Sequence, residues 1–333
     1  MNEKLNIIFG AAGVGNIAPP LMKVEDCGDD ATLQIFDLLK KNGVKHLASS
    51  RIYGKSEETI GRLKAALEHG LIIDTKWPGA FFDPTSVSKE RIISDAKDSL
   101  AKLGVPKVNA FYLHSANPSN ETQETLIGIN EAFEMGAFEH FGLSNFSPAQ
   151  VQYVYDTCKA KGLVLPTVYE GLYNPVNRKH EEELLPLLRK LGIAFNAYSP
   201  LAGGFLTKSR SQVVNGEGRF NKDQFLGAYF EIYNNEPYLA ANDEWRRIAD
   251  EEGVSRAALG YRWVCYHSAL KPELGDGMVI GGRISQLEDT LKALSQGPLS
   301  AKASKRIQDL WEKLQPHVKY ANNLEAMAKP SIS

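Results

Sequence analysis

Residues 138–161, FEHFGLSNFSPAQVQYVYDTCKAK, contain the unit that decides the fold, a short apolar run followed at once by a longer amphipathic stretch. The run Phe138–Ser144 predicts a buried β-strand, and residues 147–161 predict an α-helix. The same unit recurs along the chain. The other predicted strands are Leu5–Gly10, Lys45–Ser50, Leu71–Lys76, Val108–His114, Val164–Glu170, Ile193–Ser199 and Gly277–Gly281.

Helical patterns separate the predicted strands. Strands that alternate with helices form parallel sheets, so this order predicts an α/β fold, a single (β/α)8 TIM barrel with right-handed connections. No linker divides the chain, and we expect one domain over residues 1–333. A long loop is expected over residues 202–237 after the seventh strand, and an extra C-terminal helix over residues 301–318. The predicted connecting helices lie near residues 30–42, 57–69, 88–103, 121–135, 180–191, 238–267 and 284–295.

A doubly wound nucleotide-binding fold is the competing interpretation, because Gly10, Gly13 and Gly15 directly follow the first predicted strand. Their spacing is GxxGxG rather than the GxGxxG of dinucleotide-binding folds, and Pro19 and Pro20 intervene before any helix. A tight glycine turn at the bottom or rim of the barrel is the alternative.

Composition describes an ordinary globular protein, with 43% hydrophobic and 23% charged residues among 333. A net charge of −2 gives no reason to expect nucleic acid or an anionic membrane as a partner. No apolar run is long enough to span a bilayer, and Met1–Gly10 lacks a signal-peptide pattern. Cys27, Cys158 and Cys265 are far apart and odd in number, so we expect neither a disulfide framework nor a metal site, and a cytoplasmic protein.

Reactive or polar side chains stand where four successive predicted strands end. Tyr53 follows the second strand, Lys76 ends the third, His114 ends the fourth, and Ser144 and Asn145 end the fifth. A tyrosine or a histidine alone at such a position is more typical of packing than of catalysis. Because TIM barrels carry their active sites at the carboxyl ends of the strands, the set together predicts a catalytic site.

Four motifs give this chain a resemblance to a known family: Tyr53–Glu57, Gly142–Phe146, Leu172–Asn174 and Tyr198–Gly204. In this order they resemble the aldo-keto reductases, and the last motif looks most like the branch that includes aflatoxin-aldehyde reductases. The resemblance spans almost the whole chain. It implies an NADPH-dependent oxidoreductase whose partner is a small-molecule aldehyde or ketone.

The resemblance also implies catalytic roles for three of the strand-end residues. Tyr53 would protonate the oxygen of the carbonyl while hydride attacks its carbon. A free phenol has a pKa of about 10, so the positive charge of Lys76 would be needed to lower the pKa of Tyr53. His114 would donate a hydrogen bond to the carbonyl oxygen and orient it.

The chain departs from the family at Ala48, where an Asp ordinarily pairs with the lysine. Without that carboxylate, Lys76 would be partly buried with no counter-ion, which is costly or leaves the lysine neutral. Asp74 lies two residues before Lys76, and residues i and i+2 face the same side of a strand. We therefore include Asp74 as a catalytic candidate that pairs with Lys76; the alternative is a variant unrelated to Ala48.

Glu170 is a second departure, because the family commonly has Gln there to bond the nicotinamide carboxamide. An ionised glutamate accepts hydrogen bonds but donates none, so cofactor affinity is expected to change. Its negative charge would stabilise the oxidised, positively charged nicotinamide ring.

The remaining cofactor assignments come from the resemblance. Tyr198 would stack on the nicotinamide, and Arg283, at the start of a helix, would bind a 2′-phosphate and favour NADPH over NADH. The full set of cofactor candidates is Ser144, Asn145, Glu170, Tyr198, Ser199, Leu201, Gly203, Lys208, Gly281, Arg283 and Gln286.

The substrate is expected to be hydrophobic or aromatic. Trp77, Tyr229 and Phe230, together with Phe81 and Phe82, would form an apolar mouth, although part of this cluster could instead pack a loop onto the barrel. Two other functions remain open. One is proton transfer without redox chemistry, as in an isomerase, dehydratase or cyclase, and the other is a catalytically silent binding subunit.

Overall fold

The computed structural model describes residues 4–15, 27–79, 88–116, 123–322 and 324–325. Eight parallel strands close into a barrel in which each strand pairs with the next and β8 pairs with β1. The predicted (β/α)8 TIM barrel is confirmed. The strands are β1 (Asn6–Gly10), β2 (His46–Ala48), β3 (Ile72–Trp77), β4 (Val108–Leu113), β5 (Phe138–Ser144), β6 (Pro166–Leu172), β7 (Ala194–Tyr198) and β8 (Gly277–Ile280).

Helices connect the strands. Most of the longer ones bury one face, as amphipathic patterns predict, whereas the helix over residues 256–267 is buried on all sides from Ala258 to Cys265. The described helices are α1 (Asp29–Lys41), α2 (Ser56–Arg62), α3 (Ala65–His69), α4 (Lys89–Leu103), α5 (Gln123–Glu134), α6 (Pro148–Lys161), α7 (Leu184–Leu191), α8 (Arg210–Val214), α9 (Ala228–Tyr233), α10 (Glu236–Glu252), α11 (Arg256–His267), α12 (Ile284–Ser295) and α13 (Ala301–Leu314).

Two predicted helices are each divided in two. The stretch 57–69 breaks at Lys64, whose φ of 52° is left-handed, and 238–267 breaks at Gly253, whose φ of 70° ends α10. A left-handed residue cannot continue a right-handed helix, so a new one starts beyond it. The extra C-terminal helix is confirmed as α13, and the segment after β7 contains α8, α9 and three 3₁₀ turns.

The strand β6 begins two residues later than predicted. Helix α6 ends at Gly162, which has a left-handed φ of 68°, and residues 163–165 form a connection before Pro166 opens the strand. Proline at the first position of a strand removes no donor from the ladder. The shift keeps Glu170 inside the strand rather than at its end.

The barrel interior is polar near its carboxyl end. Tyr112 of β4 lies inside the barrel and accepts a hydrogen bond from Asn196 Nδ2 of β7 at 3.2 Å. Its ring lies against the backbone of Gly142 in β5, where a Cβ atom would stand 2.3 Å from the ring. The glycine of the Gly142–Phe146 motif is therefore required by packing.

The glycine-rich segment after β1 forms a 3₁₀ turn at the carboxyl rim of the barrel. A Cβ atom on Gly15 would lie 2.6 Å from Tyr53 O and from Ser56 N, so the backbone of this turn packs directly on the loop that carries Tyr53. The closed barrel excludes the doubly wound fold. No helix among the described residues combines the length and apolarity needed to cross a membrane.

Candidate active site

A cleft of about 1620 Å³ opens at the carboxyl ends of the strands. Strand-end residues form its floor, and the segments after β7 and β8 form its walls. The predicted site residues that line it are Tyr53, Lys76, His114, Ser144, Asn145, Glu170, Tyr198, Ser199, Leu201, Gly203, Tyr229, Gly281, Arg283 and Gln286.

Tyr53 and Lys76 meet at the floor of the cleft. The ammonium nitrogen of Lys76 lies 5.8 Å from the centroid of the Tyr53 ring. Burial raises the pKa of Tyr53 above its usual value, while the positive charge of Lys76 opposes this rise. The lysine therefore acts in the predicted direction, but burial of the phenol is the larger effect.

His114 completes the group from the end of β4. Its ring lies edge-on to that of Tyr53, with centroids 5.9 Å apart. Burial, and then the charge of Lys76, hold the pKa of His114 well below its usual range, so the imidazole is neutral at neutral pH. Its Nδ1 atom lies 2.9 Å from Ser50 Oγ, a contact that the sequence analysis missed.

Lys76 has its ionic contact across the barrel. Its Nζ atom lies 3.3 Å from Glu170 Oε1 on β6 and donates a hydrogen bond to Ser49 O at 3.2 Å. Burial lowers the pKa of this lysine, but the negative charge of Glu170, followed by Tyr53 and Asp74, outweighs burial and raises it. Lys76 is consequently charged at neutral pH.

Asp74 does not form the direct ion pair predicted for it. Its Oδ1 atom accepts hydrogen bonds from Asn109 Nδ2 at 2.7 Å and from the backbone nitrogen of Ala110 at 3.0 Å. Burial raises the pKa of Asp74 to about 6, against the opposing effects of Asn109 and Lys76. Asp74 and Lys76 share the inner face of β3 as expected, but β4 holds the Asp74 carboxylate.

A hydrogen-bonded chain links three strand ends along one wall. Tyr198 Oη donates to Asn145 Oδ1 at 2.7 Å, and Asn145 Nδ2 donates to His114 O at 2.9 Å. Asn145 and Ser199 have left-handed φ angles of 61° and 53°. Such backbone angles are costly for residues other than glycine and concentrate at functional sites.

The segment after β7 covers part of the cleft with aromatic rings. Tyr229 lies directly on Gly203, where a Cβ atom would stand 2.1 Å from the ring. Phe225 packs edge-on against Tyr229, with ring centroids 4.9 Å apart. These residues supply the expected aromatic wall.

Arg219 also lines the cleft, which the sequence analysis did not foresee. Burial raises the pKa of Tyr53 and of Tyr261, and the positive charge of Arg219 opposes part of that rise. The guanidinium carbon of Arg219 lies 5.9 Å from the ring centroid of Phe225. Among the described residues, the mouth therefore combines aromatic rings with the cation of Arg219 and is not wholly apolar. No periodicity in residues 202–237 marks which side chains turn inward, so the sequence carried no signal for Arg219.

The far end of the cleft is the start of α12. Arg283 and Gln286 both line it, and Gln286 Oε1 accepts a hydrogen bond from the backbone nitrogen of Arg283 at 3.0 Å. A helix N-terminus with an exposed arginine fits an anionic group.

Four predicted site residues lie outside the described wall of this cleft, and Asp74, whose contacts are given above, is one of them. Trp77 follows the inward Lys76 and so faces outward, where its Nε1 donates to Asp95 on α4 at 3.0 Å. Phe230 does not line the cleft, and the Nζ atom of Lys222 lies 4.6 Å from its ring centroid. Lys208 lies 4.0 Å from Glu217 instead.

Two further aromatic candidates cannot be placed, since Phe81 and Phe82 fall outside the described residues. Pro19 and Pro20 do so as well.

Comparison with known proteins agrees with the fold. A model of the aldo/keto reductase family matches residues 6–312, and the chain belongs to that family. It is therefore an oxidoreductase that uses a nicotinamide cofactor.

Individual relatives extend the comparison. The chain is 36% identical over 313 residues to oxidoreductase sirO of Leptosphaeria maculans, covering 92% of this chain and 93% of the relative. It is 34% identical over 292 residues to aflatoxin B1 aldehyde reductase member 2 of Rattus norvegicus, covering 81% and 77%. The human protein of that name is 34% identical over 276 residues, covering 78% and 75%.

Proposed function

We propose that the protein reduces an aldehyde or ketone with NADPH, acting on a hydrophobic or aromatic substrate, with Tyr53 as the proton donor. The observation that carries the proposal is the convergence of Tyr53, Lys76 and His114 on one cleft from the ends of three strands. The aromatic wall of Phe225 and Tyr229 supports the substrate class.

Proton transfer follows from the charges around Tyr53. A nicotinamide bound in this cleft would supply hydride to the carbonyl carbon, and negative charge would then develop on the carbonyl oxygen. The Tyr53 hydroxyl donates its proton to that oxygen. The ammonium of Lys76, beside the ring, stabilises the phenolate that remains.

His114 orients the carbonyl. The imidazole is neutral, so it carries one proton, and Ser50 decides on which nitrogen. When the Ser50 hydroxyl donates to Nδ1 at 2.9 Å rather than to Lys76 O at 3.4 Å, the imidazole proton is on Nε2, from which it can be donated to the substrate oxygen. Ser50 is thus a positioning residue for His114.

The cofactor is NADPH in this proposal. Tyr198 and Asn145 offer a stacking ring and an amide at one end of the cleft, and Arg283 offers a positive charge at the other. Arginine suits a phosphate better than a ribose hydroxyl, which favours NADPH over NADH. Quenching of cofactor fluorescence with each nucleotide tests the preference.

Proton transfer without redox chemistry is the weaker candidate. It rested on Ala48, which suggested a lysine without a counter-ion, and on Glu170, whose charge would favour the oxidised nicotinamide. Because Lys76 contacts Glu170, the missing carboxylate at residue 48 no longer argues against reduction. The relatives named above are called an oxidoreductase and aldehyde reductases, which points the same way.

Turnover of an aromatic aldehyde tests the proposal. We expect NADPH oxidation, and a fall in kcat/KM of about 10²–10⁴-fold in Tyr53→Phe with nucleotide binding retained. Tyr153→Phe, on the exposed side of α6, is the matched control. Nucleotide binding without any turnover over a panel of aldehydes and ketones would count against a reductase and for a silent binding subunit.

The compartment and partners complete the proposal. Cys27, Cys158 and Cys265 are unpaired, which supports a reducing compartment such as the cytoplasm. A small-molecule carbonyl compound is the proposed partner, with neither nucleic acid nor membrane involved.

A further inference from the structure

Lys76 is a buried ammonium group that needs a counter-ion. It is only 1% exposed, and an isolated charge at such burial is strongly unfavourable. At the neighbouring end of β2 the side chain is that of Ala48, which supplies no charge. The backbone just after β2 accepts one hydrogen bond, which Lys76 Nζ donates to Ser49 O.

Glu170 supplies the opposite charge from the far side of the barrel. In the closed order β1 to β8, strands β2 and β6 stand opposite each other, so Lys76 is held between the backbone of one and the carboxylate of the other. Glu170 is 5% exposed, so solvent screens the pair weakly.

Asp74 is the competing counter-ion. Its carboxylate is already engaged by the side chain of Asn109 and the backbone of Ala110. Asp74 also raises the pKa of Lys76, but by less than Glu170 and Tyr53 do.

We propose that Glu170 is the positioning residue that keeps Lys76 charged and fixed beside Tyr53, so that this chain carries on β6 the carboxylate that residue 48 lacks. The expected effect of Glu170 on the rate of carbonyl reduction rests on the proposed function. Its effect on the ionisation of Tyr53 is independent of turnover.

Glu170 has two opposing effects on the pKa of Tyr53, so the direction in which that pKa moves when Glu170 is replaced tests the proposal. Its negative charge acts directly on Tyr53 and raises the pKa of the phenol. By keeping Lys76 charged, it also preserves the cation that lowers that pKa. If the second effect dominates, removing the carboxylate raises the pKa of Tyr53; if Glu170 is a mere neighbour, removal lowers it. The titratable groups that face Lys76 are Tyr53, Asp74, Tyr112, His114 and Glu170.

The experiment is a spectroscopic titration of Tyr53. Phenolate absorbance is followed against pH in each background and corrected with the same background carrying Tyr53→Phe. We expect Glu170→Gln to raise the pKa of Tyr53 and to lower kcat/KM roughly 10²-fold. Asp74→Asn is the comparison and should have the smaller effect on the titration.

A double variant tests whether a carboxylate at residue 48 can replace that of Glu170. Ala48→Asp added to Glu170→Gln places a carboxylate at the end of β2, and we expect it to return the Tyr53 titration and most of the rate. An unchanged or lowered pKa in Glu170→Gln would overturn the proposal. So would an Asp74→Asn effect as large as that of Glu170→Gln, or a double variant with no recovery. A raised pKa in a protein that reduces no carbonyl would refute the proposed function and leave this inference standing.

Discussion

The ion pair between Lys76 and Glu170 allows a quantitative prediction about stability. Two unit charges 3.3 Å apart attract by about 5 kcal/mol at an effective dielectric constant of about 20. Removing one partner leaves the other buried and uncompensated, which costs about 3–5 kcal/mol. We therefore expect Lys76→Met and Glu170→Gln each to lower the free energy of unfolding by about that amount.

The double variant is expected to lose no more than either single one, because neither lone charge remains. The coupling energy of the cycle should then be at least about 3 kcal/mol. Urea denaturation at neutral pH measures all four proteins. The exposed pair Lys305–Asp309 on α13 is the matched control, for which we expect no measurable coupling. Additive losses at Lys76 and Glu170, within about 0.5 kcal/mol, would refute a functional ion pair.

Three further outcomes are expected. Gly203→Ala should destabilise the protein by about 1–3 kcal/mol and weaken nucleotide binding, because the new Cβ atom would sit on a left-handed backbone and clash with the Tyr229 ring. Gly192→Ala is the control in thermal unfolding, since that residue also has a left-handed φ but open space around it, and so reports the backbone strain alone. Asp74→Asn should stabilise the protein at neutral pH. Folding raises the pKa of the Asp74 carboxyl from its usual 3.8 to about 6, so the folded protein loses about 3 kcal/mol of stability as the pH rises through this window. Urea denaturation should therefore show the gain from Asp74→Asn at pH 7 but not at pH 4. Ser50→Ala should lower kcat more than it raises the KM for nucleotide, and unchanged steady-state kinetics would exclude its control of the catalytic histidine tautomer.

Much of the architecture was available from the sequence because periodicity and strand-end chemistry are local signals. The alternation of apolar runs with amphipathic stretches predicted the barrel, and the ends of β2, β3 and β4 predicted Tyr53, Lys76 and His114. The same alternation argues against Trp77 as a site residue, since consecutive residues of a strand face opposite sides.

Other parts of the site depend on contacts that no local pattern encodes. The partner of Lys76 is decided by barrel closure, which brings Glu170 within reach across the interior, whereas Asp74 is drawn to Asn109 on the adjacent strand. Arg219 turns into the cleft from an aperiodic segment. Long-range geometry of this kind follows from the packed fold rather than from sequence spacing.

Transfer of deuterium tests the proposed chemistry most directly. With NADPH labelled at the transferring C4 position and an aromatic aldehyde, mass spectrometry should find one deuterium on the alcohol carbon in the wild-type reaction. Tyr53→Phe should form this product at least about 10²-fold more slowly while still quenching nucleotide fluorescence. An unlabelled product, or equal rates with and without the Tyr53 hydroxyl, would contradict hydride transfer assisted by that phenol.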